Sequence, residues 1–117
     1  MAKNPEVETP SINIIGSGTI VEGKINSNGD FRIDGSLIGM IKSESKIIVG
    51  SSGIVEGEII SKNADISGKL QANIQVEELL TLKASSKIIG NIKVGKLSIE
   101  PGAVFTGQCT MNSDNIL

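Results

Sequence analysis

The chain has no histidine, no tryptophan and no tyrosine, only one cysteine and three prolines, and an aromatic content of 2% over 117 residues. Each scarcity removes a class of function. Without histidine, the imidazole that serves most often as acid–base catalyst and metal ligand is unavailable. Cys109 stands alone, so it forms no internal disulfide and no zinc site, and it fits a reducing compartment. The 11 basic and 13 acidic side chains are interspersed, giving a formal charge of −2 without a basic stripe, which argues against nucleic acid as a partner. No apolar run is long enough to serve as a signal peptide core or to span a bilayer, so the expected location is the cytoplasm.

What remains is aliphatic. A core with so few aromatic residues has to be built from Ile, Leu and Val, which favour strands. These residues recur on a template: IVEGKI ending at Ile25, IVEGEI ending at Ile59 and IIGNI ending at Ile92, with weaker copies ending at Ile41, Ile74 and Cys109. The six ends are 16, 18, 15, 18 and 17 residues apart. A second apolar pair keeps the same period: Phe31 and Ile33, Ile47 and Val49, Ala64 and Ile66, Leu80 and Leu82, Leu97 and Ile99. Ile12 and Ile14 form its earliest member, slightly out of step. A third position follows the template in some units, at Val76, Val94 and Met111. Gly, Ser and Asn separate these short alternating runs and mark corners.

Three short strands and three corners in about 17 residues are too short for hairpin-paired sandwich strands but suit one coil of a solenoid. The predicted fold is all-β: a single right-handed parallel β-helix of about six coils, three strands per coil, around a triangular aliphatic core. The right-handed form is expected because a strict six-residue pattern is missing and coil length wanders. Residues 12–111 form this domain, between disordered tails at 1–11 and 112–117. Gly23, Gly39, Gly57, Gly90 and Gly107 share one column, broken by Ala72, which predicts a bend common to the coils.

A rod of stacked coils exposes strand edges and a slice of core at both ends. Neither tail carries an amphipathic segment long enough to cap them, so both ends are expected to be bare and to join other copies, extending as a filament. Candidate interface residues are those of the first and last coils: Ile12, Ile14, Leu97, Ile99, Val104, Phe105 and Met111. Phe105 ranks first because it falls in the inward column of Val21, Leu37, Val55, Leu70 and Ile88. Outward Ile38, Ile48, Ile60 and Ile89 are candidates for lateral bundling or for docking a partner.

Catalytic and ligand-binding readings find little support. Coils of 15 to 18 residues leave no insertions to build a lyase cleft. Glu22 and Glu56 are two coils apart, and Asp30 and Asp34 lack the tandem pattern of calcium-binding β-helices. The GSG at 16–18 is a corner rather than a phosphate loop. Thr19, Thr81, Thr106 and Thr110 form no ladder of the ice-binding kind. No cofactor, metal or catalytic residue is expected, and Cys109 is expected in the core.

The six coils, the glycine column, the flanking polar tails and the Phe of the last coil together resemble a bactofilin, over residues 12–111. The resemblance implies a right-handed β-helix that polymerises without nucleotide into non-polar filaments, by head-to-head and tail-to-tail contacts. It implies a role in cell shape or localised wall synthesis, and a part for Phe105 in polymerisation. The alternative is a scaffold that recruits cell-wall enzymes. Many members bind the inner face of the cytoplasmic membrane through a short apolar N-terminal motif. Here only Met1 and Ala2 precede Lys3, Asn4 and Pro5, so this chain departs from that pattern.

Overall fold

β-Branched residues at every second position suit a pleated surface with one side buried, and this alternation sets the strands of the protein. A computed structural model describes residues 12–111. Among these there are nine strands and no helix: β1 (Ile12–Ile15), β2 (Ile20–Ser27), β3 (Asp30–Ile33), β4 (Ser36–Ser43), β5 (Lys46–Val49), β6 (Ile54–Ile66), β7 (Lys69–Leu82), β8 (Lys87–Ile99) and β9 (Val104–Met111). Every pairing is parallel. One sheet runs β1-β3-β5-β6-β7-β8-β9, with β2 and β4 joining it through β6. The chain therefore winds as a solenoid of about six turns, each coil hydrogen-bonded to the next.

The register places equivalent residues in stacks. Ile25, Ile41, Ile59, Ile74, Ile92 and Cys109 pair in succession, as do Val21, Leu37, Val55, Leu70, Ile88 and Phe105. A third stack runs Ile15, Ile33, Val49, Ile66, Leu82, Ile99. In the middle coils these side chains are fully or almost fully buried and form one continuous core. The uneven spacing is absorbed at two corners, mostly at the first. The first is four residues long at 16–19, 50–53, 83–86 and 100–103 but two residues long at 34–35 and 67–68. All four longer corners close with backbone bonds: Thr19 N–H to Gly16 O, Gly53 N–H to Gly50 O, Ser86 N–H to Lys83 O and Ala103 N–H to Glu100 O. An extra residue at Glu77–Glu78 makes a further register shift in β7.

The glycine column is a bend. Gly23, Gly39, Gly57, Gly90 and Gly107 have φ between +128° and +145°, a region open to residues without a Cβ, and the chain turns there without leaving the ladder. At Gly57 a Cβ would run into the carbonyl oxygen of Gly39 in the coil beneath.

Two expectations are corrected. Ile12 and Ile14 pair with Asp30 and Arg32, on the outward face, and both are exposed; Ile15 occupies the core stack instead. A shift of one residue reverses every side chain of a strand, and in INII the core residue is the last of the four. Cys109 keeps its place in the inward stack, yet it is exposed because among the described residues no coil covers it.

The core also holds polar groups that apolar patterning misses. Ser43 and Ser61 are buried in the stack that continues as Val76, Val94 and Met111. Their hydroxyls are satisfied at the adjoining corners. Ser43 Oγ donates to Gly29 O at 2.8 Å and accepts from Ser45 N–H at 3.0 Å, while Ser61 Oγ donates to Asn63 O at 2.9 Å.

Candidate assembly surfaces

The exposed ends of the rod are where core stacks stop. At the C-terminal end the last members of the stacks are Leu97, Ile99, Phe105, Cys109 and Met111. One coil below, Leu80, Leu82, Ile88, Ile92 and Val94 are at most 2% exposed. The end residues share those inward positions, but Ile99 is 51% and Met111 55% exposed, with Phe105 and Leu97 half-buried against the core. Covering what is still exposed would gain each roughly 1 kcal/mol, about half the value of full burial from water. Among the described residues β9 has no strand partner beyond β8, so its outer backbone groups form an open edge.

The predicted C-terminal set is thus brought together with one exception. Val104 pairs with Lys87 on the outward face, beside the end rather than on it. Ala103, absent from the predicted set, packs against the core next to Phe105.

The N-terminal end has a different chemistry. Its stacks begin with Asn13, Ile15, Val21, Ile25 and Ser27. Ile15 is buried, Val21 and Ile25 are half-buried, and Asn13 Nδ2 donates to Ser27 Oγ at 3.1 Å across the end. Ile12 and Ile14, predicted here as interface residues, lie on the flank.

The four outward isoleucines do not form one patch. Ile38 and Ile89 share a side, exposed in the second and fifth coils. Ile48 is half-buried on another side, between Arg32 and Asp65 in the stack. Ile60, also half-buried, lines an open groove of about 500 Å³ with Lys42, Lys62, Gln75, Glu77 and Lys93. Ile20 and Ile54, each the first residue of its template and directly after a corner, lie on the side of Ile38 and Ile89 and were missed.

The remaining polar surface ties coils to one another. Lys46–Asp65, Lys62–Glu78 and Lys83–Glu100 salt bridges, at 3.0, 3.9 and 3.6 Å, each join adjacent coils, and all are solvent-exposed and individually weak. Arg32 donates to Asp34 at 2.8 Å, and that hydrogen bond, with the carboxylate charge, raises the guanidinium pKa further. Asp30 Oδ1 accepts from Ser45 Oγ and from Lys46 N–H, holding the corner of the next coil. Among the described residues no group of three or more His, Cys, Asp or Glu is placed to hold a metal ion, and no helix is long and apolar enough to cross a membrane.

This coil-by-coil architecture has known counterparts. Residues 13–110 match the family model described as "Bactofilin: Polymer-forming cytoskeletal". The chain is 32% identical to bactofilin BacO of Myxococcus xanthus (strain DK1622) over 99 residues, covering 85% of this chain and 79% of that protein. It is 28% identical to BacP of the same organism over 98 residues, covering 84% of this chain but 41% of that longer protein. Among solved structures, it superposes on a cryo-EM reconstruction of Thermus thermophilus bactofilin double helical filaments with a TM-score of 0.81, at 31% identity, covering 86% of this chain and 99% of the other. A crystal structure of a phenylalanine-to-arginine mutant of Thermus thermophilus bactofilin matches with a TM-score of 0.73 at 27% identity, over 77% of this chain and all of that one. The stack of aliphatic coils is accordingly that of a polymer-forming cytoskeletal protein, and this chain belongs to the bactofilin family.

Proposed function

We propose that this protein assembles end to end, without nucleotide, into non-polar filaments that support cell shape or localised wall synthesis from the cytoplasmic side of the membrane. The observation that carries this reading is the uncovered C-terminal face, where Leu97, Ile99, Phe105 and Met111 hold core positions but lack a covering coil. A second copy docked there covers those side chains and the open edge of β9 together. Joining like ends, C-terminal face on C-terminal face and N-terminal on N-terminal, makes a strand without polarity. The double helical filaments of the Thermus relative support polymerisation as the outcome. Nothing in this assembly calls for a nucleotide, because burial of apolar surface drives it.

The test is negative-stain electron microscopy and sedimentation of the purified chain without nucleotide, beside Phe105→Arg. Filaments for the parent and short species for the variant are expected. A monodisperse parent would overturn the reading.

The groove around Ile60 favours a second reading, a scaffold that recruits a cell-wall enzyme. It is flanked by Lys42, Lys62 and Lys93 and lies on the side of the rod, away from both ends. Lys42→Glu with Lys93→Glu is then expected to release the enzyme from filaments that still form. Retention of the enzyme on those filaments would count against the scaffold.

A further inference from the structure

One side of the rod is built from residues 20–22, 36–38, 54–56, 69–71, 87–89 and 104–106 and presents two outward columns. The first reads Ile20, Ser36, Ile54, Lys69, Lys87, Val104 from the first coil to the sixth. The second reads Glu22, Ile38, Glu56, Gln71, Ile89, Thr106. Two features mark this side. Ile20, Ile38, Ile54, Ile89 and Val104 are all exposed on it, an unusual density for a strip two residues wide. Its charges are also sorted by height: Glu22 and Glu56 in the first three coils, Lys69 and Lys87 in the fourth and fifth. Among the described residues none of these four is in a salt bridge.

We propose that two copies of this chain pair side by side and antiparallel through this face. Two identical flat faces meet about a two-fold axis in only two ways. With the axis along the rod, equal heights meet, so Glu56 lies near Glu56 of the second copy and Lys69 near Lys69, while Ile20 and Ile54 face carboxylates. With the axis across the rod, the first coil meets the sixth and the second meets the fifth. Ile20 then lies on Val104, Ile38 on Ile89, and Ile54 on the aliphatic stem of Lys69. Glu56 faces Gln71 and lies diagonally from the ammonium groups of Lys69 and Lys87 of the second copy. The antiparallel arrangement places exposed aliphatic residues on one another and sets each Glu diagonally beside a Lys rather than beside another Glu, which is what selects register between identical surfaces.

The strip is about 30 Å tall and narrow, so a single pair is weak. The proposal rests on the end-to-end reading for its strength. In a strand without polarity successive rods alternate in direction, so two such strands side by side repeat the same antiparallel match at every rod, and the contacts act together.

Disulfide trapping tests this on the full chain carrying Cys109→Ser. Ile38→Cys and Ile89→Cys proteins are prepared separately, mixed, oxidised and mapped by mass spectrometry. Links between positions 38 and 89 are expected, at least about tenfold above those of Ile48→Cys, which lies on another side. Adding Glu56→Lys is expected to lower the yield about tenfold, and adding Lys69→Glu to that variant to restore it. Links of position 38 to itself, a yield no higher than that of Ile48→Cys, or no recovery in the charge-swapped pair would overturn antiparallel pairing. Sedimentation of the same samples reports end joining separately: a 38–89 link without sedimenting polymer supports the lateral pair while counting against the filament.

Discussion

The two ends of this rod begin and finish the same stacks, yet they expose different chemistry. At the C-terminal end the stacks finish in Leu97, Ile99, Phe105, Cys109 and Met111, of which Ile99 and Met111 are more than half exposed and Leu97 and Phe105 half-buried. At the N-terminal end they start with Asn13 and Ser27 bonded to each other, and the aliphatic members Val21 and Ile25 are half-buried. An apolar face gains from any covering surface that fits it, whereas a polar pair already satisfied gains little. On the end-to-end reading proposed above, ends of unequal strength predict stepwise assembly, with the C-terminal faces joining first and the resulting dimers linking through their N-terminal faces.

The sharpest way to break this asymmetry is to place a charge at each end in turn. Phe105→Arg puts a guanidinium into the stronger joint, and sedimentation velocity is expected to show no filaments and nothing larger than a dimer. Val21→Arg, at the opposite end, is expected to stop growth at dimers that persist at about tenfold lower concentration than those left by Phe105→Arg. Equal dimer affinities for the two variants would remove the asymmetry.

The contrast between end and middle extends to the glycine bend. Gly57→Ala combines positive-φ strain with a collision against the Gly39 carbonyl, and a loss of about 2–4 kcal/mol is expected in denaturant unfolding. Gly23→Ala meets the same backbone strain with nothing within 4 Å, so its loss is expected to be about 1–2 kcal/mol. The smallest effect belongs to Asn13→Leu, which replaces the polar half of the N-terminal clasp by an apolar side chain. It is expected to strengthen N-terminal joining by about 1 kcal/mol, roughly a fivefold drop in the concentration at which filaments appear, read by light scattering.

Much of this was legible before any coordinates, for a physical reason. A solenoid repeats one local environment, so six weak copies of a pattern reinforce each other where a single copy would be ambiguous. The spacing of Ile25, Ile41, Ile59, Ile74, Ile92 and Cys109, the bend at the glycine column and the inward place of Phe105 all follow from that redundancy. The readings that went astray lie where redundancy runs out. Ile12 and Ile14 belong to the first coil, which has only one neighbour to set its register. Cys109 has its expected place in the inward column, but among the described residues no further coil follows to bury it. Ser43 and Ser61 were overlooked because burial of a small hydroxyl depends on the partner it finds, and Gly29 O and Asn63 O become partners only once the corners fold. The predicted set Ile38, Ile48, Ile60 and Ile89 spreads over three sides because alternation says inward or outward and nothing about which corner has been passed.

The corner that takes up four residues in some turns and two in others has a consequence for how such a protein changes over generations. Insertions and deletions there alter the length of a turn without altering the rise per turn, which the ladder holds at about 4.8 Å. Each turn touches only its neighbours, so gain or loss of a whole turn lengthens or shortens the rod by one fixed increment and leaves both end faces as they were. The axial period of the polymer is then a ruler graduated in turns, adjustable by duplication of an ~17-residue segment while the joints that make it a polymer stay intact.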